Sequence, residues 1–334
     1  MRNFLLGLLL LPIGVAHAAC TLEKVATLPA KVDNGRVFVS GTMDGHPVEY
    51  LVDLASRTLL LRVAAQDFGL RPDYLGSLDK IATFGEPGPD QLIIQHLPLS
   101  LGGAAANLGT PQQVAVLGTD FFNWYDVEFD VQHGKIVLYK PTGCETAKMA
   151  YWPGPVTVAD MISNNVQINS PPFNSYNLPH LNIRLSVGGK EMVAAIDTGY
   201  RRSSLSLAAA HSLGLAPGGP GAAETRPTVD VLDGFSTPTW VGSVDSVALG
   251  DEVITSAKID FRTFMIPAGA AEPHIGTNRR PTRYHGDDMV LGADFLIAHH
   301  IFLSQSQKKV YFSPAENVAF LKAGAPPAAD RPAY

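Results

Sequence analysis

The sequence predicts a mainly β protein built from two copies of one folding unit. Two observations support this: a block of chain that occurs twice, and short hydrophobic runs separated by Gly, Pro, Asn and Asp turn residues. The composition agrees, because 31 Gly and 25 Pro in 334 residues suit hairpins and loops better than long helices. The length is sufficient for two domains of ordinary size.

The first repeated block ends each time in an aspartate that follows an apolar strand. Residues 45–53 read GHPVEYLVD, and residues 189–197 read GKEMVAAID. Each copy begins with a hairpin-turn glycine and continues as a hydrophobic strand. A polar turn and a helical stretch follow each aspartate, at residues 64–70 and 208–215.

The second repeated block closes each copy. Residues 116–122 read VLGTDFF and residues 290–296 read VLGADFL, and a terminal strand follows each of them. The second copy is longer between these landmarks. We expect the extra length in a surface loop over residues 266–288, which are rich in Pro, Gly and Arg and show no periodicity.

The repeats divide the chain into five segments. They are a signal peptide (1–18), lobe one (20–145), a linker (146–178), lobe two (179–316) and a disordered tail (317–334). The linker is assigned on its Pro, Asn and Ser content, and the tail on its Ala-Pro-rich composition.

The N-terminus has the form of a secretory signal. Arg2 precedes a broken apolar run, residues 4–15, and Ala16-His17-Ala18 offers a cleavage site. We therefore expect an exported protein, periplasmic or secreted, and no transmembrane span in the mature chain, because no later stretch reaches ~20 apolar residues. A lipoprotein attached through Cys20 stays open, although His17 stands where such signals prefer an aliphatic residue.

Two cysteines, Cys20 and Cys144, remain after this cleavage. In an oxidising compartment they predict one disulfide, with two unrelated buried thiols as the alternative.

Charge and motifs exclude several other classes of function. The net charge of −6 and the lack of a Lys/Arg run argue against a nucleic-acid partner. The chain has no Gly-x-Ser-x-Gly elbow and no phosphate-binding glycine loop. His285 and the pair His299-His300 lack further ligands at metal-site spacing, so we expect neither a metal nor a cofactor.

The doubled order of apolar strand, Asp turn, hairpin and hydrophobic-hydrophobic-Gly before a short helix resembles the pepsin/retropepsin superfamily of aspartic peptidases. The match covers most of residues 35–140 and 180–314. It implies two retropepsin-like β-barrel lobes that form a pseudo-dimer within one monomeric chain, with a cleft between them. Carried over residue by residue, the catalytic pair is Asp53 and Asp197, and the substrate is a peptide or unfolded protein.

The two turns depart from the family pattern Asp-Thr/Ser-Gly at different positions. The turn residues are Leu54, Ala55, Ser56, Thr198 and Gly199. In the family each Thr hydroxyl bonds across to the opposite turn, which Leu54 cannot do, so we expect Thr198 to lose its partner. Ala55 adds a methyl group where Gly lets two backbones approach closely. Tyr200 stands where the family usually has Ser or Ala.

Family members also close β-hairpin flaps over the substrate. The resemblance implies one flap at residues 84–90, with Phe84 and Gly85, and another around Gly234 and Phe235, where Asp-Gly marks a hairpin turn.

Two neighbouring carboxylates suit peptide hydrolysis because they share a proton, so that one acts as general base for water and the other as general acid. Aspartic endopeptidase is therefore the first hypothesis. The alternatives are a catalytically inactive peptide-binding protein that retains the fold, and a structural or assembly protein that uses neither aspartate.

Overall fold

The structure, a computed structural model, describes residues 20–73, 77–102, 108–170, 173–230, 236–266, 282–283, 287–316 and 318–321. The predicted signal peptide, the tail from residue 322 onward and most of the predicted loop over 266–288 lie outside these residues.

The strands of the first half are β1 (Thr21–Asp33), β2 (Arg36–Met43), β3 (His46–Asp53), β4 (Leu59–Leu61), β5 (Ser77–Phe84), β6 (Leu92–Gly102), β7 (Ala115–Gly118), β8 (Asp126–Asp130) and β9 (Lys135–Thr142). Those of the second half are β10 (Thr157–Ser170), β11 (Phe173–Val187), β12 (Lys190–Ile196), β13 (Ser204–Ser206), β14 (Ala223–Glu224), β15 (Thr228–Val229), β16 (Ser236–Thr237), β17 (Thr239–Leu249), β18 (Glu252–Arg262), β19 (Met265–Ile266), β20 (Thr282–Arg283), β21 (Met289–Leu291), β22 (His299–Ser304) and β23 (Lys309–Pro314). The α-helices are α1 (Thr119–Phe122), α2 (Leu207–Ser212) and α3 (Ala293–Ala298), and 3-10 helices span Arg62–Phe68 and Val131–His133.

Both halves have the same strand pairing, so the duplication read in the sequence is also a duplication of topology. Strand β3 lies antiparallel to β2 and parallel to β7, as β12 lies antiparallel to β11 and parallel to β21. Strand β4 runs parallel to β6, as β13 runs parallel to β18. The mainly β prediction is confirmed, and the strands close into a barrel.

The strand that delivers each aspartate is buried on both faces, which explains its continuous apolar sequence. In β3, Tyr50, Leu51 and Val52 are all 0% exposed. Tyr50 and Val52 belong to the main core, whereas Leu51 packs in a smaller cluster with Phe38 and Val116.

A sheet shared by both halves joins them. Its order is β1, β9, β8, β22, β23 and β10, so the end of lobe one pairs directly with the end of lobe two. At the junction Phe129 lies opposite Ile301, and Val127 lies opposite Leu303. Backbone hydrogen bonds across this junction fix the position of one lobe against the other.

The predicted disulfide is confirmed. Cys20 and Cys144 are bonded, with a Cα–Cα distance of 4.4 Å. The bond ties the residue before β1 to the segment that follows β9, its partner strand in the shared sheet.

The segment boundaries differ from the prediction in two places. The expected linker, residues 146–178, contains all of β10 and the start of β11, which pair with each other from Met161–Ile183 to Ser170–Phe173. Its Pro and Asn content suggested a linker, but a hairpin held by backbone hydrogen bonds requires no apolar pattern.

The expected tail also begins too early. Phe320 and Leu321 are 5% and 8% exposed, and the Lys258 amide donates to the Leu321 carbonyl at 2.9 Å. These two apolar side chains are enough to hold the segment against lobe two. Within the described part of the chain, no helix is both long and apolar enough to cross a bilayer.

Candidate active site

The two predicted aspartates stand at equivalent strand ends. Asp53 ends β3 beside Gly118, and Asp197 follows β12, where its amide donates to the Leu291 carbonyl at 2.9 Å. Each opens a turn, because the amide three residues on donates back to its carbonyl at 3.4 Å, from Ser56 and from Tyr200.

The glycine of each hydrophobic-hydrophobic-Gly element lets the aspartate turn cross the neighbouring strand. A Cβ at Gly118 would lie 2.3 Å from the Arg57 carbonyl carbon, and one at Gly292 would lie 2.6 Å from that of Arg202. The repeated glycines are therefore required by the close approach of two backbones.

Below each turn lies a further carboxylate that sequence reasoning did not single out. Asp120 accepts the Thr58 amide at 2.8 Å and hydroxyl at 2.7 Å, and Asp294 accepts the Ser203 amide at 2.9 Å and hydroxyl at 2.6 Å. Burial raises the pKa of Asp294 to about 6. The aspartate two residues after each repeated glycine was a readable signal for this pair.

The two turns meet at Gly199. The Gly199 amide favours the charged forms of both Asp53 and Asp197, and the charge of Asp53 raises the pKa of Asp197, so the two carboxylates are neighbours. A Cβ at Gly199 would lie only 2.5 Å from Asp53 Oδ2, so this position in lobe two requires glycine. The Asp53 carboxylate also accepts the Ala55 amide at 3.0 Å, and Asp53 is only 3% exposed.

The expectation that Thr198 loses its partner is wrong. Its hydroxyl donates to the Val52 carbonyl at 2.8 Å and accepts the Leu54 amide at 3.1 Å. Both partners are backbone groups, so replacing the lobe-one Thr by Leu54 leaves them in place. The Leu54 side chain is instead buried in the apolar core, 1% exposed.

The surroundings favour a retained proton on the pair. Burial raises the pKa of Asp53 to about 6, and the charge of Asp230 adds to this while the amides of Ala55, Gly199 and Ser56 oppose it. Burial, followed by the neighbouring charges of Asp53 and Asp230, raises the pKa of Asp197 well above its usual value.

Further charged groups lie around the pair. The Tyr200 hydroxyl donates to Asp230 at 2.8 Å, and the Arg262 guanidinium lies 4.0 Å from the Tyr200 ring centroid. From lobe one, Arg36 Nε reaches the Gly199 carbonyl at 3.5 Å. Beside these, Arg202 pairs with Asp260 at 2.9 Å.

The predicted flap residues lie in different environments, and two of them are outside the described part of the chain. Phe84 is 0% exposed and its ring lies 5.0 Å from that of Tyr50, so its side chain serves the core of lobe one rather than a substrate. Gly85 has a φ of +82° in the turn that follows β5. Gly234 and Phe235 lie outside the described residues, although β15 and β16 on either side of them are paired.

One group of described residues has the composition of a metal site. The ligand atoms of Glu128, Asp130 and His300 lie within 4.8 Å of one another. Glu128 already accepts hydrogen bonds from Tyr139 at 2.9 Å and from His300 at 2.8 Å, and Lys135 pairs with Asp130 at 3.2 Å. Because Glu128 lies on β8 and His300 on β22, we assign the cluster to joining the lobes.

Comparison with known proteins finds that part of the second half of the chain is similar to one protein family. Residues 183–295 match the model of a family described as aspartyl protease. A comparison with curated proteins gave no significant match.

Three solved structures illustrate the overall similarity. A protein named edgp is 10% identical with a TM-score of 0.46, covering 88% of this chain and 96% of its own. The soybean Basic 7S globulin is 12% identical with a TM-score of 0.44, covering 88% and 95%. An aspartic proteinase from Irpex lacteus is 12% identical with a TM-score of 0.44, covering 89% and 98%.

Proposed function

We propose that the chain is an aspartic endopeptidase, because residues 183–295 match the model of an aspartyl protease family. Asp53 and Asp197 form its catalytic pair. The observation that carries the proposal is the meeting of the two aspartate turns at Gly199, where a Cβ would lie only 2.5 Å from Asp53 Oδ2, because two neighbouring buried carboxylates can share one proton.

The two carboxylates have different roles in the proposed reaction. The amides of Ala55, Gly199 and Ser56 stabilise the anion of Asp53, which therefore takes a proton from the attacking water. Asp197, with its strongly raised pKa, gives its proton to the carbonyl oxygen of the scissile peptide. Asp53 then passes the proton of water to the leaving amine as the C–N bond breaks, and one hydroxyl of the tetrahedral intermediate returns a proton to Asp197, which yields the carboxylic acid and restores the pair.

Exported location and a single-chain active unit belong to the same proposal. The Cys20–Cys144 disulfide supports an oxidising compartment, periplasmic or extracellular. Both aspartates come from one chain, so a monomer provides the complete pair, and its partner is a peptide or unfolded protein.

A catalytically inactive peptide-binding protein is the second candidate, favoured by the turn of lobe one. Leu54 and Ala55 replace the Thr and Gly of the family pattern, and Leu54 offers no hydroxyl for the reciprocal bond to lobe two. In that case the chain binds peptides without cleaving them.

The test is cleavage of an unstructured protein between pH 3 and 7, with and without a statine-type inhibitor. We expect wild-type cleavage that the inhibitor blocks, and a loss of about 10³-fold or more in Asp53→Asn and in Asp197→Asn. Asp245→Asn, an exposed carboxylate of lobe two, is the matched control.

Equal cleavage by Asp53→Asn and wild type would refute the intramolecular pair. Peptide binding by the wild type without any cleavage would support the second candidate.

A further inference from the structure

A third carboxylate stands beside the proposed pair. Asp230 directly follows β15, at the end of that strand which leads into the connection to β16. It is close enough for its charge to act on both Asp53 and Asp197. Lobe two thus brings a second acid, besides Asp197, to the site.

Tyr200 provides the physical link between this acid and the catalytic turn. It is the third residue after Asp197, and its hydroxyl donates to Asp230 Oδ2 at 2.8 Å. The family that the sequence resembles usually has Ser or Ala at the position of Tyr200, and such a short side chain could not reach Asp230. The ring is also held on its face, because the Arg262 guanidinium lies 4.0 Å from its centroid.

Asp230 raises the pKa of both Asp53 and Asp197. The other charged groups around the pair either oppose this effect or are engaged by other partners. Arg262 on β18 favours the charged form of Asp197. Arg36 on β2 is directed to the Gly199 carbonyl, and Arg202 is engaged by Asp260. Asp294, below the turn, is bound by Ser203. Asp230 is therefore a negative group, outside the pair itself, whose charge acts on both members.

We propose that Asp230, held by Tyr200, is a positioning residue that keeps the shared proton on Asp53 and Asp197 at higher pH and ties the β15–β16 hairpin to the Asp197 turn. A negative charge beside two carboxylates disfavours loss of their last proton. The pair then stays singly protonated, its working form, further toward neutral pH. The role in activity rests on the proposed function, whereas the effect on the proton does not.

The direct test is a pH titration of the Asp53 and Asp197 carboxyl carbons by ¹³C NMR in the full mature chain. The signals are assigned by their disappearance in Asp53→Asn and Asp197→Asn. We expect Asp230→Asn to move the upper titration midpoint of the pair down by on the order of one pH unit. The exposed Asp245→Asn serves as control and should not move it.

Tyr200→Phe tests the link, because it keeps the ring over which Arg262 stacks and removes only the hydroxyl. Its midpoint should move in the same direction as that of Asp230→Asn, by less. The double variant should match Asp230→Asn alone, since the hydroxyl acts through Asp230. An unchanged midpoint in Asp230→Asn, or additive shifts in the double variant, would overturn the proposal.

The pH profile of kcat/KM separates this proposal from the proposed function. If the chain cleaves peptides, the alkaline limb should move down in Asp230→Asn with the NMR midpoint, whereas a merely structural role would lower kcat/KM equally at every pH. A chain without peptidase activity that still shows the NMR shift would refute the endopeptidase and retain the inference. Peptidase activity in which Asp230→Asn moves neither the NMR midpoint nor the alkaline limb would support the endopeptidase and refute the inference.

Discussion

At the scale of single residues, the lobes meet through a few short polar contacts. Thr198 provides two of them, to the Val52 carbonyl and the Leu54 amide, and both lie in the buried region between the aspartates. A buried backbone group without its partner costs far more than a formed hydrogen bond contributes.

Thr198→Val should therefore lower the free energy of unfolding by about 2–4 kcal/mol and reduce peptidase activity, because it keeps the volume but leaves two backbone groups unpaired. Urea unfolding and kcat/KM measure the two effects. Thr198→Ser retains the hydroxyl and should stay within about 1 kcal/mol of wild type. Equal losses in both variants would show that the methyl group, not the hydroxyl, matters.

Gly199→Ala makes a sharper steric prediction. The added methyl group would meet Asp53 Oδ2 at 2.5 Å, so the Asp53 carboxylate must leave its position beside Gly199. We expect a loss of activity of about 100-fold or more, with a near-UV circular dichroism spectrum like that of wild type. Full activity in this variant would mean that the pair tolerates separation, which the proposed mechanism does not allow.

The sequence predicts single site residues only where a repeat or motif marks them. Asp53 and Asp197 follow the same apolar strand twice, and the structure brings them together. The prediction that Thr198 loses its hydrogen-bond partner was wrong, because the motif describes side chains, whereas the partners of Thr198 are backbone groups. Asp230 and Arg262 carry no local signal at all, since only the folded chain brings them to Tyr200.

At the scale of elements, order in the chain predicts pairing within a lobe better than pairing between lobes. The turns around Gly45 and Gly189 predict the β2–β3 and β11–β12 hairpins. The β8–β22 junction joins strands that are distant in sequence, and no pattern in either strand specifies its partner. The same holds for residues 318–321, whose apolar side chains are too few to signal packing.

Phe320→Ala should lower the free energy of unfolding by about 2–4 kcal/mol, because it leaves a cavity beside Phe295 and His299, whose rings lie 5.7 and 5.1 Å from that of Phe320. Val318→Ala, at an exposed position of the same segment, should change it by less than about 0.5 kcal/mol. Chemical unfolding monitors both. Equal, small effects of both substitutions would indicate that residues 318–321 belong to the disordered tail that the sequence predicted.

Removing the disulfide should destabilise the junction of β1 and β9. Cys20→Ser with Cys144→Ser is expected to lower the free energy of unfolding by about 2–5 kcal/mol, since the bond closes a long loop in the unfolded chain. Urea unfolding with and without reductant measures this. Reductant should bring wild type to the stability of the variant and leave the variant unchanged; a response of the variant would point to another cause.

At the scale of the whole molecule, buried acids set the pH dependence of stability. Burial raises the pKa of Asp53 and Asp294 to about 6, and that of Asp197 further above its usual value. A raised pKa in the folded state means that the contribution to stability is fully present below the unfolded pKa, about 3.9, and is lost as pH rises through the folded pKa. Asp44, held by Lys80, has a lowered pKa and loses its contribution as pH falls below about 4.

The free energy of unfolding should thus decline from pH 4.5 to 7.5. In Asp294→Asn the decline should be smaller by on the order of 2–3 kcal/mol, because one of the raised groups no longer titrates. Urea unfolding at several pH values gives the slope of the free energy of unfolding against pH for each protein. The hydrogen bonds that the substitution changes affect this free energy at all pH values, so they do not alter the slope. Parallel curves for variant and wild type would show that Asp294 does not titrate in this range.

The β8–β22 junction joins two lobes of one chain, so the molecule differs from a dimer of identical chains in its behaviour on dilution and in how its halves can diverge in sequence. In a dimer of identical chains, one gene specifies both turns, and the pair is lost when the subunits separate. Here both turns belong to one chain, so dilution does not part them. A substitution in one half also has no copy in the other. Leu54 and Ala55 on one side and Tyr200 on the other are differences that a dimer of identical chains cannot carry.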